Sequence, residues 1–539
     1  MNMSEYILAL DQGTTSTRAV LFDSRGKYVT ASSTPITQHY PKPGWVEHDP
    51  VEIWRSTLKC VESVLRKRRV RIAGIGITNQ RETTILWDRK TGRPLHRAIV
   101  WQDRRTAPDC ARLRRAGMEK AVRGRTGLVL DPYFSGTKLA WLLRNVPGAR
   151  AKARAGRLAF GTVDSWLIWN LTGGKVHATD PSNASRTMLL NLRTKNWDPA
   201  QLKMLGIPAG ILPKVLPSAG KFGVTVRLGS LPSGIPVSGV AGDQQSALFG
   251  QGCVKPGEMK VTYGTGGFLL VQTGKKLVRS RNGLLTTLAC GERGEATYAL
   301  EGSVFIAGAV MQWLRDGLKI IASSPESEKW ARSVPDTGGV YIVPAFTGLG
   351  APWWDADARG IITGLTRGTG KAQLIRASEE AIAYQTADVV SAMGKDIGRR
   401  IRELRVDGGA CRDGFLMQFQ ADILDARIVR PNMVETTAAG AGYLAGLGAG
   451  LWSPAQLKGM RATDRIFTPK MKQAQRTALL GGWHRAVARA RSTPARVDAP
   501  ASPAGGLASP LGGLASPLGG PASPLGGPAS PLGGPAAPG

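Results

Sequence analysis

One short unit constrains this chain more than any other feature, and it occurs once in each half: an apolar strand, a turn of Gly and Thr, and a returning strand. In the first copy Tyr6-Ile-Leu-Ala-Leu10 runs into the turn Asp11-Gln-Gly-Thr-Thr15 and out through Thr17-Arg-Ala-Val-Leu-Phe22. In the second, Met259-Lys-Val-Thr-Tyr263 turns at Gly264-Thr-Gly-Gly267 and returns through Phe268-Leu-Leu-Val271. A related hairpin in each half predicts a two-domain architecture. Ile72-Ala-Gly-Ile-Gly-Ile77 reads as a buried strand ending at Thr78-Asn-Gln-Arg-Glu82, and a third Gly turn follows the strand in Leu404-Arg-Val-Asp-Gly-Gly-Ala410. Apolar residues at helical spacing over 377–393 and 439–451 complete an alternation of short strands and longer helices, so the fold class is α/β.

Length and composition set the outer bounds. At about 100–200 residues per domain, the 539-residue chain predicts two to four domains. With 42% apolar residues and 14 Trp it can offset the entropy of ordering, which excludes wholesale disorder. No run of about 18 apolar residues predicts a membrane span, and the N-terminal stretch lacks the basic and long apolar regions of a signal peptide. Five scattered cysteines (Cys60, Cys110, Cys253, Cys290 and Cys411) form no paired motif. They read as reduced, inert thiols of a cytoplasmic protein, with no zinc site.

The basic excess is large: 71 Lys and Arg against 39 Asp and Glu give a net charge of +32. The clusters, such as Ala111-Arg-Leu-Arg-Arg115 and Ala149-Arg-Ala-Lys-Ala-Arg154, are dispersed and not interleaved with the aromatics that stack bases. They read as solvent faces of amphipathic helices rather than a specific nucleic-acid surface. A scaffold that binds polyanions through this charge stays as an alternative. The C-terminus differs from the rest. From Ala501 a seven-residue unit repeats, with Ala-Ser-Pro-Leu-Gly-Gly beginning at Ala508, Ala515, Ala522 and Ala529. Pro and paired Gly in these repeats forbid a continuous helix, so a disordered tail over 493–539 is expected.

Three places carry chemistry. In the first hairpin, Gly13 allows close backbone approach, Thr14, Thr15, Ser16 and Thr17 offer hydroxyls, and Arg18 adds charge, which suits phosphate. A surface hairpin of common turn residues is the plainer reading, but the second hairpin at Gly264 supplies a partner for clamping a triphosphate. Asp11 at the strand end suits a hydrated Mg²⁺, which takes one or two carboxylates plus substrate phosphates. Asp243, in Val240-Ala-Gly-Asp-Gln-Gln245, reads either as a helix N-cap or as a base that takes a hydroxyl proton. Arg81-Glu82 reads either as a surface ion pair or as a grip on adjacent hydroxyls. A Walker A loop is excluded, because Leu365 stands at its first Gly and Ala372 at its Ser or Thr.

The ordered set Asp11-Gln-Gly-Thr-Thr-Ser16, Tyr40-Pro-Lys-Pro-Gly-Trp-Val-Glu-His-Asp49, Ile77-Thr-Asn-Gln-Arg-Glu-Thr83 and Trp101-Gln-Asp-Arg-Arg105 resembles the FGGY family of carbohydrate kinases. Asp131-Pro-Tyr-Phe-Ser-Gly-Thr-Lys138, Gly242-Asp-Gln-Gln245, Phe346-Thr-Gly-Leu-Gly-Ala-Pro352 and Gly364-Leu-Thr-Arg-Gly368 extend the likeness, which runs from about Tyr6 to about Ala488. The Asn79–Glu82 and Asp131–Lys138 segments resemble its glycerol-specific branch; another polyol or ketose is the alternative acceptor. The resemblance implies two actin- and hexokinase-like (ribonuclease-H-like) ATPase domains, residues 1–251 and 252–492, with ATP, Mg²⁺ and glycerol in the cleft between them. It implies Asp243 as general base, and Arg81, Glu82, Tyr133, Asp243, Gln244 and Phe268 around glycerol. Thr14, Thr15, Ser16, Arg18, Thr265, Gly308, Gln312, Gly409 and Asp413 would face the nucleotide, and Asp11 and Asp243 the metal. A homodimer or homotetramer is also implied.

The chain departs from the family in places. Asp413-Gly414 stands where an Asn pair is usual. Val226-Arg-Leu-Gly-Ser-Leu-Pro-Ser-Gly234 does not match the fructose 1,6-bisphosphate loop of some relatives, and no His stands there for phosphorylation. Deleting the residues after Pro500 is expected to leave ADP release in a coupled assay unchanged; a loss of turnover would contradict the linker reading of the tail.

Overall fold

The computed structural model describes residues 5–66, 70–433 and 435–492. The tail expectation, residues 493–539, lies outside them. Each hairpin seeds a sheet. In the first, β1 (Glu5–Gln12) pairs antiparallel with β2 (Ser16–Asp23), and β3 (Tyr28–Pro35) extends the meander. Two strands then add in parallel, β4 (Arg71–Asn79) beside β1 and β5 (Val237–Gly242) beside β4, giving the order β5-β4-β1-β2-β3. β5 runs directly into α1 (Asp243–Gly250). The inner strands read as near-continuous apolar or small-residue runs because both of their faces are covered.

The second sheet repeats the plan. β6 (Met259–Tyr263) and β7 (Gly267–Gly274) form its hairpin, and β8 (Leu285–Cys290) and β9 (Ala296–Val304) extend the antiparallel side. α2 (Gly308–Gln312) follows, then the 27-residue α3 (Lys371–Ile397). β10 (Glu403–Gly408) joins β6 in parallel, as β4 joins β1. α4 (Gly414–Leu424), β11 (Arg427–Pro431), α5 (Thr436–Gly448) and β12 (Thr463–Phe467) complete the order β8-β9-β7-β6-β10-β11-β12. α3 shares one apolar core with this sheet, Ile382, Val389 and Met393 clustering with Val261, Leu269 and Val304.

The structure differs from the sequence reading at two informative places. β1 does not end at Leu10: Asp11 and Gln12 stay in the ladder, opposite Arg18 and Thr17 on one side and Thr78 and Asn79 on the other. Pairing on both edges outweighs the local preference for a turn, so only Gly13, Thr14 and Thr15 make the bend. The second difference is α5, which lies between two strands of the second sheet in sequence yet packs across β4 and β5 of the first. Glycines make that approach achievable. A Cβ on Gly76 would overlap the Ala441 carbonyl, one on Gly239 the backbone of Ala445, and one on Gly440 the carbonyl of Ser246. The Ser238 hydroxyl closes the seam by donating to the Ala445 carbonyl at 2.9 Å.

The basic clusters lie as the amphipathic reading expects: Arg112, Arg114 and Arg115 are exposed beside buried Leu113, and Arg485 and Arg489 beside buried Ala486. All five cysteines are free and buried. Among the described residues no helix is long and apolar enough to cross a membrane.

The seam makes a direct prediction. Gly76→Ala and Gly440→Ala should each lower the thermal midpoint by several degrees, since overpacking a tight contact costs about 1–3 kcal/mol. Gly459→Ala, where an added methyl meets nothing within 4 Å, should be neutral or slightly stabilising. Equal midpoints for all three would refute the seam.

Candidate active site

The candidate residues gather at the carboxyl ends of the parallel strands, where an open α/β sheet leaves a crevice. Asp11 lies in register with Thr78, and Thr78 with Ala241, so the ends of β1, β4 and β5 form one rim. On the second sheet Tyr263 lies in register with both Gly267 and Gly408.

Asp243 is the first residue of α1, and Gly242 is its N-cap. It is therefore not the helix cap that its spacing allows. Its Oδ1 accepts from the Gln244 backbone N–H at 2.7 Å and lies 3.2 Å from Arg81 Nε, while 30% of the side chain remains open. Burial of its surroundings pushes its pKa up, and the Arg81 charge works against that.

Arg81 and Glu82 are not a surface ion pair. Both are buried, because each is held by a residue far along the chain. Arg81 grips Glu301 of β9 through two bonds, 2.5 Å to Oε2 and 2.9 Å to Oε1. Arg186 donates to Glu82 at 2.6 Å and to the same Glu301 at 3.0 Å. The side chains of this quartet are 0–2% exposed. Glu82 also sits at φ 61°, a conformation that side chains with a Cβ seldom adopt and that a surrounding network must impose. Its backbone carbonyl accepts from Ser135 at 3.0 Å.

Beside this polar cluster stands an aromatic wall. Trp101 meets Tyr133 edge-on at 5.6 Å and Phe268 at 6.3 Å between ring centroids. The Trp101 indole also donates to Thr14 Oγ1 at 2.9 Å, joining the wall to the first hairpin. Tyr133 hydroxyl lies 3.4 Å from Arg81, and burial pushes its pKa up.

The hairpins are braced from behind. In the first, Gly13 N–H donates to the Ser16 carbonyl at 2.9 Å. Gln80 donates to the Gly13 carbonyl at 3.0 Å and Gln38 to that of Thr14 at 2.8 Å. His48 lies between these amides, 2.8 Å from Gln38 Oε1 through Nε2 and 3.3 Å from Gln80 Nε2 through Nδ1. One ring nitrogen must donate and the other accept, so His48 is neutral, and its pKa is lowered to about 4 by burial. Thr15 is exposed, and Thr14 and Ser16 are half-buried. In the second hairpin Ala307 and Ala309 donate to the Thr265 carbonyl at 2.8 and 3.0 Å, and Gly308 to that of Gly264 at 2.9 Å. Gln312 and Gly409 are exposed, and a Cβ on Gly409 would meet nothing within 4 Å.

Three assigned residues have local duties that the sequence did not reveal. Arg18 is ion-paired with Glu435, just before α5. Asp413 caps α4, its Oδ1 accepting from the Leu416 N–H at 2.8 Å, and burial together with the nearby Glu328 raises its pKa. The Gln244 side chain faces the buried Lys260. Sequence reasoning missed Arg186, Lys260 and Glu301 altogether. Each is a charged residue in an apolar strand or small-residue run (Asn-Ala-Ser-Arg186, Met-Lys260-Val, Ala-Leu-Glu301-Gly), which is the signal that marks them.

The donor set fits a hydrated divalent cation. Asp11 is half-buried near Asp243 and Glu435 with Arg18 as its cation, and its pKa is raised to about 7, mostly by desolvation. Among the described residues there is no group of three or more metal-ligating side chains. Asp11 and Asp243 would therefore share the ion with phosphates and water.

A two-lobed fold with a Gly/Thr hairpin in each lobe and a carboxylate at the crevice defines a class of phosphotransferase. The N-terminal domain profile of the FGGY family of carbohydrate kinases matches residues 6–250, and the C-terminal domain profile residues 259–449. The chain belongs to that family. It is 58% identical over 491 residues to a glycerol kinase of Carboxydothermus hydrogenoformans, covering 90% of this chain and 98% of that one. It is 56% identical over 492 residues to glycerol kinase 2 of Pseudomonas aeruginosa, covering 90% and 97%. Among solved structures, a Plasmodium falciparum glycerol kinase with ADP superposes with a TM-score of 0.86 at 37% identity, covering 91% of this chain and 99% of that one.

His48 yields a prediction with a definite sign. The unfolded chain protonates His near 6.5, but the folded chain protonates His48 only near 4. Between those values the unfolded state binds more protons, so this residue costs stability as pH falls, by up to about 3 kcal/mol near pH 4. The buried carboxylates with raised pKa respond in the opposite sense, so the measured quantity is a difference. Relative to His48→Gln, the wild-type thermal midpoint should fall as pH goes from 7 to 4. A difference independent of pH would show that His48 titrates normally.

Proposed function

We propose that this chain transfers the γ-phosphoryl group of ATP to a terminal hydroxyl of glycerol, giving sn-glycerol 3-phosphate and ADP. The observation that carries the reading is Asp243: a carboxylate open to the crevice, at the end of β5, oriented by Arg81 and by its own helix amide. The relatives named as glycerol kinases, which match along nearly their whole length, support the same acceptor.

In this reading Arg81 and Glu82 grip two neighbouring hydroxyls, and Tyr133 and Phe268 pack against the carbon chain. Gln244 adds a hydrogen bond. Asp243 accepts the proton of the attacking hydroxyl as its oxygen approaches phosphorus, which general-base catalysis requires. Thr14, Thr15, Ser16 and Thr265 offer hydroxyls and backbone N–H groups to the phosphates, while Gly308, Gln312 and Gly409 leave an open face for the nucleoside. Arg18 neutralises phosphate charge when it exchanges Glu435 for the ligand. Asp11 and Asp243 would hold Mg²⁺, which shields the phosphate oxygens and fixes their geometry when bound. The protein's task is then positioning and electrostatics, as phosphoryl transfer allows. Asp413 keeps its cap on α4 and offers the nucleotide only its remaining oxygen.

We infer the domain division at 251/252, which the separate matches to 6–250 and 259–449 support. A cytoplasmic location, and the homodimer or homotetramer that light scattering would read, belong to the same proposal.

Two measurements check it. ADP release with Mg·ATP should be fast with glycerol and slow with erythritol, xylulose or no acceptor; equal rates would refute the acceptor assignment. Asp243→Asn should cut turnover by about 10²–10⁴, while calorimetry shows ADP bound as tightly as by the wild type. An active Asp243→Asn would remove the base.

A further inference from the structure

Lys260 is a charged side chain with no exposed surface, set in the middle of an apolar strand. Burying an ammonium costs several kcal/mol unless its surroundings compensate. Here its compensation is unusual in kind. The ammonium donates to the side-chain Oε1 of Gln244, to Thr262 Oγ1 at 2.6 Å and to the backbone carbonyl of Phe268 at 3.2 Å. These are neutral acceptors, and they use all three of its protons. The carboxylates Asp407 and Asp243 act on it through charge alone.

Two of the three acceptors belong to residues placed around the acceptor substrate, and they come from different parts of the chain. Gln244 is the second residue of α1, after the first sheet, and Phe268 lies on β7 of the second. Lys260 therefore ties the two sides of the pocket at one point.

The consequence for Gln244 is chemical. An ammonium has donors and no acceptor, so the amide must turn its oxygen toward Lys260. Its Nε2 is then directed away, and among the described residues Nε2 makes no hydrogen bond. An apolar residue at position 260 would leave the amide free to present either end.

We propose that Lys260 is a positioning residue that sets the polarity of the acceptor pocket. By pinning Gln244 Oε1 and the Phe268 carbonyl, it presents Gln244 Nε2 as a fixed donor and so favours an acceptor with a hydroxyl at that place. This rests on the glycerol reading above, and the test separates the two.

The test is a double-mutant cycle on the full chain with saturating Mg·ATP: wild type, Lys260→Met, Gln244→Ala and the pair. Glycerol, 1,2-propanediol and 1,3-propanediol serve as acceptors, the diols each lacking one hydroxyl. Lys260→Met is expected to raise the glycerol KM about tenfold or more and to weaken discrimination against one diol, as loss of a specific donor does. The ATP KM should stay within about twofold. The pair should lose no more than Gln244→Ala alone, because both changes remove the same fixed donor. Losses that multiply, or an unchanged preference between glycerol and the diols, overturn the proposal. Should circular dichroism show Lys260→Met unfolded, Gln244→Glu in the chain that keeps Lys260 decides. Its carboxylate is held by the same ammonium but offers no donor, so the glycerol KM should rise about tenfold; an unchanged KM overturns the assignment. A wild-type chain that releases no ADP with glycerol overturns the reaction itself, and this role with it.

Discussion

The site depends on a buried quartet of charges. Arg81 and Arg186 meet Glu82 and Glu301 with almost no exposed surface, and the four residues come from three separate stretches that span both halves of the chain. As a source of net stability such a network is modest, because desolvation consumes much of the attraction. Its value is geometric. Removing any one member leaves an uncompensated charge, at a cost of about 3–5 kcal/mol, so the arrangement holds together or not at all. That rigidity places Arg81 Nε against Asp243 and holds Glu82 at its positive φ. Since Glu301 lies on the second sheet, the pocket is complete only when the halves are together.

Charge is balanced locally with little to spare. Arg81, Arg186 and Lys260 face Glu82, Glu301 and Asp243, with Asp407 nearby as a further carboxylate. Asp407 gives one oxygen to Thr436 and leaves the other without a partner among the described residues. A crevice so rich in desolvated carboxylate suits a divalent cation and a proton acceptor. In the proposed reaction the phosphates need the opposite sign, which the hairpins would supply through N–H groups, hydroxyls and Arg18. The positive charge of the whole chain adds long-range attraction for anionic substrates, spread over helix faces and separate from the chemistry.

Much of this was legible in the residues. Both hairpins, the buried strand before Arg81 and the helical spacing over 377–393, which lies within α3, were readable because apolar periodicity and Gly/Thr turns are local signals. The ordered motifs pointed to the family along nearly the whole chain. What escaped was long-range. Asp243 was readable either as a cap or as a base, and only the structure puts Gly242 at the cap and Arg81 beside the carboxylate. Arg81-Glu82 looked like a surface pair because the partners that bury them, Arg186 and Glu301, lie more than a hundred residues away. The position of α5 was equally hidden. Its glycines signal close packing, but nothing in them says which sheet they meet.

The sequence by itself determined the α/β class, the two hairpins and the family, because these rest on periodicity, turn chemistry and ordered motifs along the chain. Only the tertiary structure decided which charges are neutralised by which. It alone shows that His48 braces the first hairpin, that Asp413 caps a helix and that Lys260 faces Gln244. The physical reason is that burial and charge pairing are properties of space. A carboxylate's role follows from its neighbours within a few ångströms, and those neighbours are set by how distant strands come together.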